Sequence, residues 1–437
     1  MSCLKSQKQC VNDQEMDHIS TLPDSLLCHI LSFVPTKSAV ATSLLSRRWI
    51  SVWTNVPVLD FTAFPSSVYA GGELGTETFN SFIMNVLLHN DTRCLQRLHL
   101  LVCRRSNMRC VNSLFNSMSE REIWEIHLAR SWTCDDIVPV QLPAALFARE
   151  RLVVLKISGP FEIKVPLSFH LPRLKTLYLR YLKFVGQNVS KTVTADCSSL
   201  RELLIEHCYG LRKLYVDSPT LSRFTKRFSR GMMVAVSGPN IRFLDLDEFA
   251  EQYDISDLSS LVEARIRLSS DEASRQLWAL ELIRRISHVK TLYLAQSTVE
   301  VFGHFCENEL PIFPNLTRLE IQIADSIFRM LEHAPSLKHL IVDLGVCIND
   351  KACHFVSEII PQCLLSLPSV EIRNFRGFDN DIELIRYILK NATILKELKI
   401  HLHLSSMKDR RDAYNRLLSF PRVSSCQVIR CSCCGDS

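Results

Sequence analysis

"VKTLYL", Val289–Leu294, is the stretch on which the architecture turns. Its apolar residues stand at the first, fourth and sixth positions. That spacing suits a strand with one buried face, because successive strand side chains point to opposite sides. The same φ-x-x-φ-x-φ pattern, φ being apolar, begins at Leu95, Ile123, Leu152, Leu174, Leu200, Leu221, Ile241, Leu261, Val289, Leu316, Leu337, Leu367 and Leu395. One unit departs from it: Lys226 takes the last apolar position of the Leu221 unit. The residue between the last two apolar ones is expected to face away from the core. Those residues are His99, His127, Lys156, Tyr178, Leu204, Thr225, Asp245, Arg265, Tyr293, Glu320, Ile341, Glu371 and Lys399, and only Leu204 and Ile341 among them are aliphatic. A one-sided strand produces that asymmetry, and random apolar clustering does not.

The pattern starts lie 20 to 30 residues apart, nearly all within the window of leucine-rich repeats. Each such repeat buries its apolar face only against its neighbours, so the expected fold is a curved α/β solenoid, an irregular horseshoe with a long concave sheet. "LRKLYV" (Leu211–Val216) is an additional match, so some turns are expected to carry a second strand. Lys156, Tyr178, Tyr215, Asp245, Arg265, Tyr293 and Glu320 are the candidate target-binding residues of the concave face. Tyrosine is favoured at binding hot spots, and it also fits strands for plain packing reasons. Both readings of Tyr178, Tyr215 and Tyr293 stay open at this point.

Upstream, residues 1–16 are polar without periodicity and read as a disordered tail. Then comes "LPDSLLCHILSFVPTKSAVATSLLSRRWISVW", Leu22–Trp53. Pro23 suits a first helical turn, and Leu26, Leu27, Ile30, Leu31 and Val34 form one broad helical stripe behind it. Pro35 stops that helix, and Thr36 is expected to cap a second one with the i, i+4 pairs Val40–Leu44 and Ala41–Leu45. A third helix carries Trp49, Val52, Trp53 and Val56. Three short helices cannot bury all these side chains among themselves, so part of the apolar surface needs another partner.

The "LP" opening, the Ile30-Leu31 pair, "LLSRRW" (Leu44–Trp49) and the second tryptophan, Trp53, resemble the F-box. The resemblance implies an F-box over residues 17–60 that docks a Skp-type adaptor and, through it, a cullin. The docking residues it implies are Leu22, Pro23, Leu26, Leu27, Ile30, Leu31, Val34, Leu44, Leu45, Trp49 and Trp53. A small helical cap for the following domain is the alternative.

At the other end an Asn-Asp cap is expected ahead of a helix that turns Ile382, Ile385, Ile388 and Leu389 to one face. A strand at Leu395–Ile400 and a final helix through Tyr414 and Leu418, ended by Pro421, are expected to follow. "VEIRNFRG" (Val370–Gly377), "YILKNA" (Tyr387–Ala392) and "LKELKI" (Leu395–Ile400) resemble the plant FBD domain. With "SP-L" (Ser218–Leu221) and "LVEA-I" (Leu261–Ile266), the resemblance to plant F-box/FBD/leucine-rich-repeat proteins spans nearly the whole chain. The implied organisation is repeats over 61–365 and an FBD domain with a C-terminal tail over 366–437. Capping the open end of the solenoid is the expected role of that domain.

The charge balance, +5 from 51 basic and 46 acidic residues, is too even to suggest a nucleic-acid partner. "KRFSR" (Lys226–Arg230) and "KDRRDAYNR" (Lys408–Arg416) are short, interrupted clusters that read as solvated surface. No segment approaches the roughly 18 consecutive apolar residues of a membrane span. The opening "MSCLKSQKQCVNDQEMDH" lacks an apolar signal-peptide core, so cytoplasm or nucleus is expected. The 17 cysteines then read as mostly buried small hydrophobes rather than disulfides.

No P-loop, G-x-G-x-x-G, G-x-S-x-G or H-E-x-x-H stands in the chain. "GGELG" (Gly71–Gly75) reads as a loop without the following helix that phosphate cradling needs. "DLDE" (Asp245–Glu248) overlaps a repeat strand, and Cys426, Cys431, Cys433 and Cys434 lack the paired knuckles of zinc sites. Neither metal nor cofactor is expected, and no catalytic cysteine–histidine pair can be argued. The expected function is non-enzymatic recruitment: the F-box holds the adaptor and the repeats present a target protein for ubiquitination. A small-molecule receptor resembling the auxin-receptor F-box proteins is the rival, as is a scaffold that has lost adaptor binding.

Overall fold

The structure, a computed structural model, describes residues 19, 21–62, 72–102, 115, 118, 121–130, 140–164, 168–188, 192–229, 231–247, 253–255, 257–268, 273–303, 305, 309–322, 327–345, 360–403, 416–425 and 427–431. The polar tail over 1–16 lies outside them.

The N-terminal module consists of helices Asp24–Leu31, Thr36–Ala41 and Arg47–Thr54, with a 3-10 turn at Thr42–Leu44. Pro23 and Pro35 each stand one residue ahead of a helix in extended conformation, ψ 148° and 143°. Proline's fixed φ suits that place, and its missing N–H removes no helical bond there. Pro23 therefore precedes the first turn rather than joining it. Thr36 does not cap. It is the buried first residue of the second helix, and its Oγ1 accepts the backbone N–H of Asp60 at 2.7 Å. Leu27, Leu31, Ala39, Trp49, Val52 and Val56 close a small core, with Leu22 and Trp53 packed against its margin. Trp53 also packs against the main core, as does Val40.

Val58–Phe61 leaves this module as the first strand of the main sheet and pairs with Cys94–Val102. The sequence boundary at residue 60 thus falls inside a strand. Between them, Gly72–His89 forms a helix that buries Phe79, Ile83, Val86 and Leu87. The expected loop over "GGELG" is corrected: from Gly72 onward it is the first turn of this helix.

Among the described residues the main sheet has 16 strands, and every pair in it is parallel. Strand follows strand in chain order from Val58–Phe61 to Gln427–Cys431, with Val140–Leu142 beside Val154–Lys164 off the main path. Register is pinned by a recurring backbone fork. Val153 O accepts from Lys175 and Thr176, Lys175 O from Arg201 and Glu202, Arg201 O from Ser222 and Arg223, and Ser222 O from Arg242 and Phe243. A one-residue slip would break every fork and turn the apolar set outward.

A second parallel sheet, with five strands among the described residues, Ser168–His170, Thr192–Asp196, Lys213–Asp217, Met233–Ser237 and Asp254–Ile255, lies across one continuous core. The additional match "LRKLYV" supplies its central strand, as expected. Tyr215 is therefore corrected: it belongs to the second sheet and shares no face with Tyr178 and Tyr293. The φ-x-φ spacing reports one buried side of a strand but not which sheet the strand joins.

The alternation holds along the main sheet. Leu98, Ile126, Leu155, Ile157, Leu177, Leu179, Leu292, Leu294, Leu319 and Ile321 are fully buried, and most residues between the apolar pairs are half-buried. Thr225, Asp245 and Ile341 are corrections, being buried too. Longer neighbours roof two of them: Arg227 and Arg267 close over Asp245, and Arg373 bridges Glu320 and Glu371 across Ile341 at 2.7 Å to each. Lys226, on the core side, is buried with its ammonium 4.9 Å from the centre of the Tyr253 ring.

Many strands end in a repeated corner. Gly159, Tyr181, His207, Phe228 and Asn374 all have positive φ, each three residues after the outward position of its strand. Gly159 needs to be glycine twice over, since φ is +128° and a Cβ there would lie 2.6 Å from the Arg130 carbonyl oxygen. The other corners carry side chains at a cost of about 1–2 kcal/mol each. Stacking offsets part of it: the Tyr181 and His207 rings lie 4.6 Å apart, and His207 and Phe228 4.7 Å.

Near the C-terminus, "VEIRNFRG" and "LKELKI" supply strands Ser369–Phe375 and Glu397–Leu402, and "YILKNA" ends helix Asp379–Asn391. These strands continue the same sheet. The expected Asn-Asp cap is corrected, because Asn380 and Asp381 lie inside the helix. The Asp381 carboxylate instead reaches back to accept the N–H groups of Arg376, Gly377 and Phe378 at 3.1–3.3 Å. Ile382, Ile385, Ile388 and Leu389 are buried as expected. Residues 416–418 are helical, while Tyr414 lies outside the described residues.

Candidate binding surfaces

The expected docking residues of the N-terminal module divide into two sets. Leu27, Leu31 and Trp49 are buried in the module's own core, and Leu22 and Trp53 are half-buried at its edge. Pro23, Leu26, Ile30, Val34, Leu44 and Leu45 are exposed, Leu44 at 89% and Leu45 at 68%. The helical stripe therefore splits down its length, since a face as wide as Leu26 to Val34 exceeds what a six-residue core can cover. Phe33 at 75% and Ile50 join the exposed set and were not singled out in the sequence. Phe33 sits just past the helix end, yet at i+7 from Leu26 and i+3 from Ile30 its spacing places it on the same stripe, and that signal could have found it. Beside this surface Arg48 pairs with Asp24 at 2.7 Å and bonds the Leu22 carbonyl, which holds the chain's approach to the first helix.

The second surface is the face of the main sheet turned from the core. Register lines its outward residues into one row: Asp60, His99, His127, Lys156, Tyr178, Leu204, Thr225, Asp245, Arg265, Tyr293, Glu320, Ile341, Glu371 and Lys399 are direct cross-strand neighbours. Six of the seven candidates read from the sequence stand in this row, and Tyr215 alone does not.

The row is wired together. Lys156 Nζ lies 5.0 Å from the centre of the Tyr178 ring, and the Tyr178 hydroxyl donates to Glu202 at 2.6 Å. Burial, joined by that bond to a carboxylate, pushes the Tyr178 phenol up to about 12. Arg267 donates to the Asp245 carboxylate at 2.6 Å, Arg227 donates to its other oxygen, and Arg267 lies 4.7 Å over Tyr293. Burial raises the Tyr293 phenol pKa as well, against the pull of Arg267. Arg265 bonds Glu263 at 3.1 Å. At the other end of the row, His99 and His127 meet edge to face at 5.2 Å. Burial, with Lys156 and His99 beside it, pulls the His127 imidazole down to about 4.

Arg180, Arg223, Arg227, Arg267 and Phe243 belong to the same face and were missed. They stand two residues before or after the outward position, where a strand's period of two returns to the same side. Reading those positions as well would have found them. Asp245, half of the "DLDE" metal-like pair, is engaged by the two arginines, and Glu248 lies outside the described residues. Among the described residues no cluster of three His, Cys, Asp or Glu is arranged to hold a metal. No described helix is long and apolar enough to cross a membrane. Cys197, Cys208 and Cys363 are buried, which pushes each thiol up to about 12, as small core hydrophobes would be. Cys431 lies in the last strand, while Cys426, Cys433 and Cys434 lie outside the described residues.

Comparison with known proteins bears on both surfaces. The family model described as F-box domain matches residues 19–61, and the FBD model matches 357–400. A model described as "FBD-associated F-box protein At5g56370, LRR repeats" matches 111–246. Three curated relatives come from Arabidopsis thaliana. F-box/LRR-repeat protein 13 is 30% identical over 95% of this chain and 96% of its own length. FBD-associated F-box protein At1g66310 is 30% identical over 96% and 97%. F-box/FBD/LRR-repeat protein At1g78750 is 29% identical over 95% and 96%. With three domain models in order along the chain and relatives aligned end to end, the chain belongs to the plant F-box/FBD/LRR-repeat family.

Proposed function

We propose that this chain is the substrate-recognition subunit of a Skp–cullin–F-box ubiquitin ligase. The module over residues 17–60 docks the Skp-type adaptor and through it the cullin. The repeats over 61–365 form a solenoid whose concave sheet face recruits a target protein, and the FBD region over 366–437 closes the solenoid's open end. The observation that carries this reading is the exposed apolar set Leu26, Ile30, Phe33, Val34, Leu44 and Leu45 on a module whose own core is already closed. Surface of that kind on a small helical unit marks a protein interface. In this reading the chain does no chemistry: it holds a target beside activated ubiquitin and raises its effective concentration. Cytoplasm or nucleus is where it works.

The test is co-purification with a Skp-type adaptor. Ile30→Asp with Leu44→Asp places charges on the exposed set without touching Leu27, Leu31 or Trp49. Adaptor binding should be lost while the repeats unfold at the same denaturant concentration as in the parent. Undiminished adaptor binding by the folded double variant would refute the docking assignment.

A further inference from the structure

The middle of the main sheet's outer face carries six basic side chains, Lys156, Arg180, Arg223, Arg227, Arg265 and Arg267, on the strands from Val154–Lys164 to Thr291–Leu294. Five acids share it: Glu202, Glu206, Asp245, Asp247 and Glu263. By count the face is nearly neutral, but the two signs lie at different depths. The Asp245 side chain is 1% exposed and that of Glu206 14%, against 44% for Arg180 and 43% for Arg265; Arg227 at 30% and Arg267 at 23% lie between, and Glu263 at 33% is the acid that stays near the surface. Asp247 is buried and Arg223 exposed. Asp245, Asp247 and Glu206 form a floor beneath the arginines, and the edges of Arg223, Arg265 and Arg180 form the layer that meets solvent.

That layer is held in place. Arg223 lies 3.9 Å over the Phe243 ring, with Arg265 5.7 Å from the same ring. Arg227 and Arg267 share Asp245, and Arg267 rests on Tyr293. Arginines so braced lose little side-chain freedom when a ligand arrives. Each guanidinium has five N–H donors in a fixed fork suited to carboxylates, and the bonds described for these arginines engage no more than two of them.

We propose that this guanidinium layer is a docking surface for an acidic stretch of polypeptide, whose carboxylates engage Arg223 and Arg265 first and Arg180, Arg227 and Arg267 around them. The inference rests on the reading of this face as the target-binding one. The charge order favours an acidic peptide over a nucleic acid. Glu202 and Glu263, beside the arginines at the same register positions, repel a continuous phosphate backbone, whereas carboxylates spaced along a peptide can avoid them.

The experiment uses the full chain in complex with its Skp-type adaptor. A fluorescent Glu-Gly repeat peptide is the probe, with a Gln-Gly peptide of equal length and a single-stranded oligonucleotide as comparisons. The Glu-Gly peptide should bind, weaken as salt is added, and lose about tenfold or more of its affinity in the R223Q/R265Q variant. Arg97→Gln, on the same face but outside the layer, should change nothing. A photoreactive Glu-Gly peptide on the unmodified protein should crosslink between residues 154 and 294, which keeps the test sharp if R223Q/R265Q does not fold. Equal binding of the Gln-Gly peptide, tighter binding of the oligonucleotide, or crosslinks elsewhere would each overturn the proposal. A captured target lost on Tyr293→Ala, without any Glu-Gly binding, removes the acidic partner but keeps the face. A target retained by Y293A and R223Q/R265Q alike removes the face reading itself.

Discussion

The sharpest test of the sheet's two-sidedness is a set of neighbouring truncations in "TLYL", Thr291–Leu294. Leu292 and Leu294 are fully buried, so truncation of either to alanine leaves a cavity in a close-packed interior. Such changes cost about 2–5 kcal/mol. Tyr293 lies between them on the opposite face. It is half-buried, and its main contact is the Arg267 guanidinium 4.7 Å from its ring centre. A cation–π contact at such a site is worth about 0.5–2 kcal/mol, and Arg267 keeps its bond to Asp245 when the ring is gone. Tyr293→Ala should therefore cost about 1 kcal/mol, more than a bare surface change and less than half the leucine figure. The same contrast should hold for Leu177 and Leu179 against Tyr178, whose loss removes a hydrogen bond to Glu202. Equilibrium denaturation of the six single variants, read as midpoints at constant slope, decides it. Tyrosine variants as unstable as the leucine variants would refute the one-sided strand, and with it the outer face as a binding surface.

Gly159→Ala should destabilise by about 1–3 kcal/mol, because its Cβ would meet the Arg130 carbonyl oxygen at a residue with φ +128°. A melting curve unchanged by that substitution would show that the corner is not tight. Asp245→Ala strands Arg227 and Arg267 without their shared carboxylate and should cost about 3 kcal/mol or more, measured by denaturant midpoint; a loss under 1 kcal/mol would mean the pair is more solvated than its burial implies. His127, held near 4 against an ordinary 6.5, makes the folded chain bind fewer protons than the unfolded one across that window. Its contribution is present above about pH 6.5 and is lost as pH falls toward 4. His127→Gln should flatten that part of the stability profile, and an NMR titration of the His127 ring with a midpoint near 6.5 would contradict the assignment.

Much of the architecture was written in local pattern. A strand reveals one buried side through a period of two, so Leu177 and Leu179, or Leu292 and Leu294, announce their burial without reference to the rest of the chain. The recurrence of that unit implies stacking, because no single repeat can cover its own apolar face. The N-terminal helices were legible for the same reason, with Pro23 and Pro35 marking where they begin. Tertiary structure decided what depends on distant partners. Tyr215 follows the same pattern as Tyr178, yet the loops around it place its strand in the second sheet. Asp245 looked like an exposed acid or half of a metal pair. It is buried because Arg227 and Arg267 reach it from strands 18 and 22 residues away, a contact that exists only once the register is set. Leu27 and Leu26 are adjacent in one apolar stripe, and only packing against Trp49 and Val52 separates the core residue from the exposed one. Local spacing determines which side of an element is apolar, because backbone geometry repeats; which neighbours cover that side is settled only when the repeats stack.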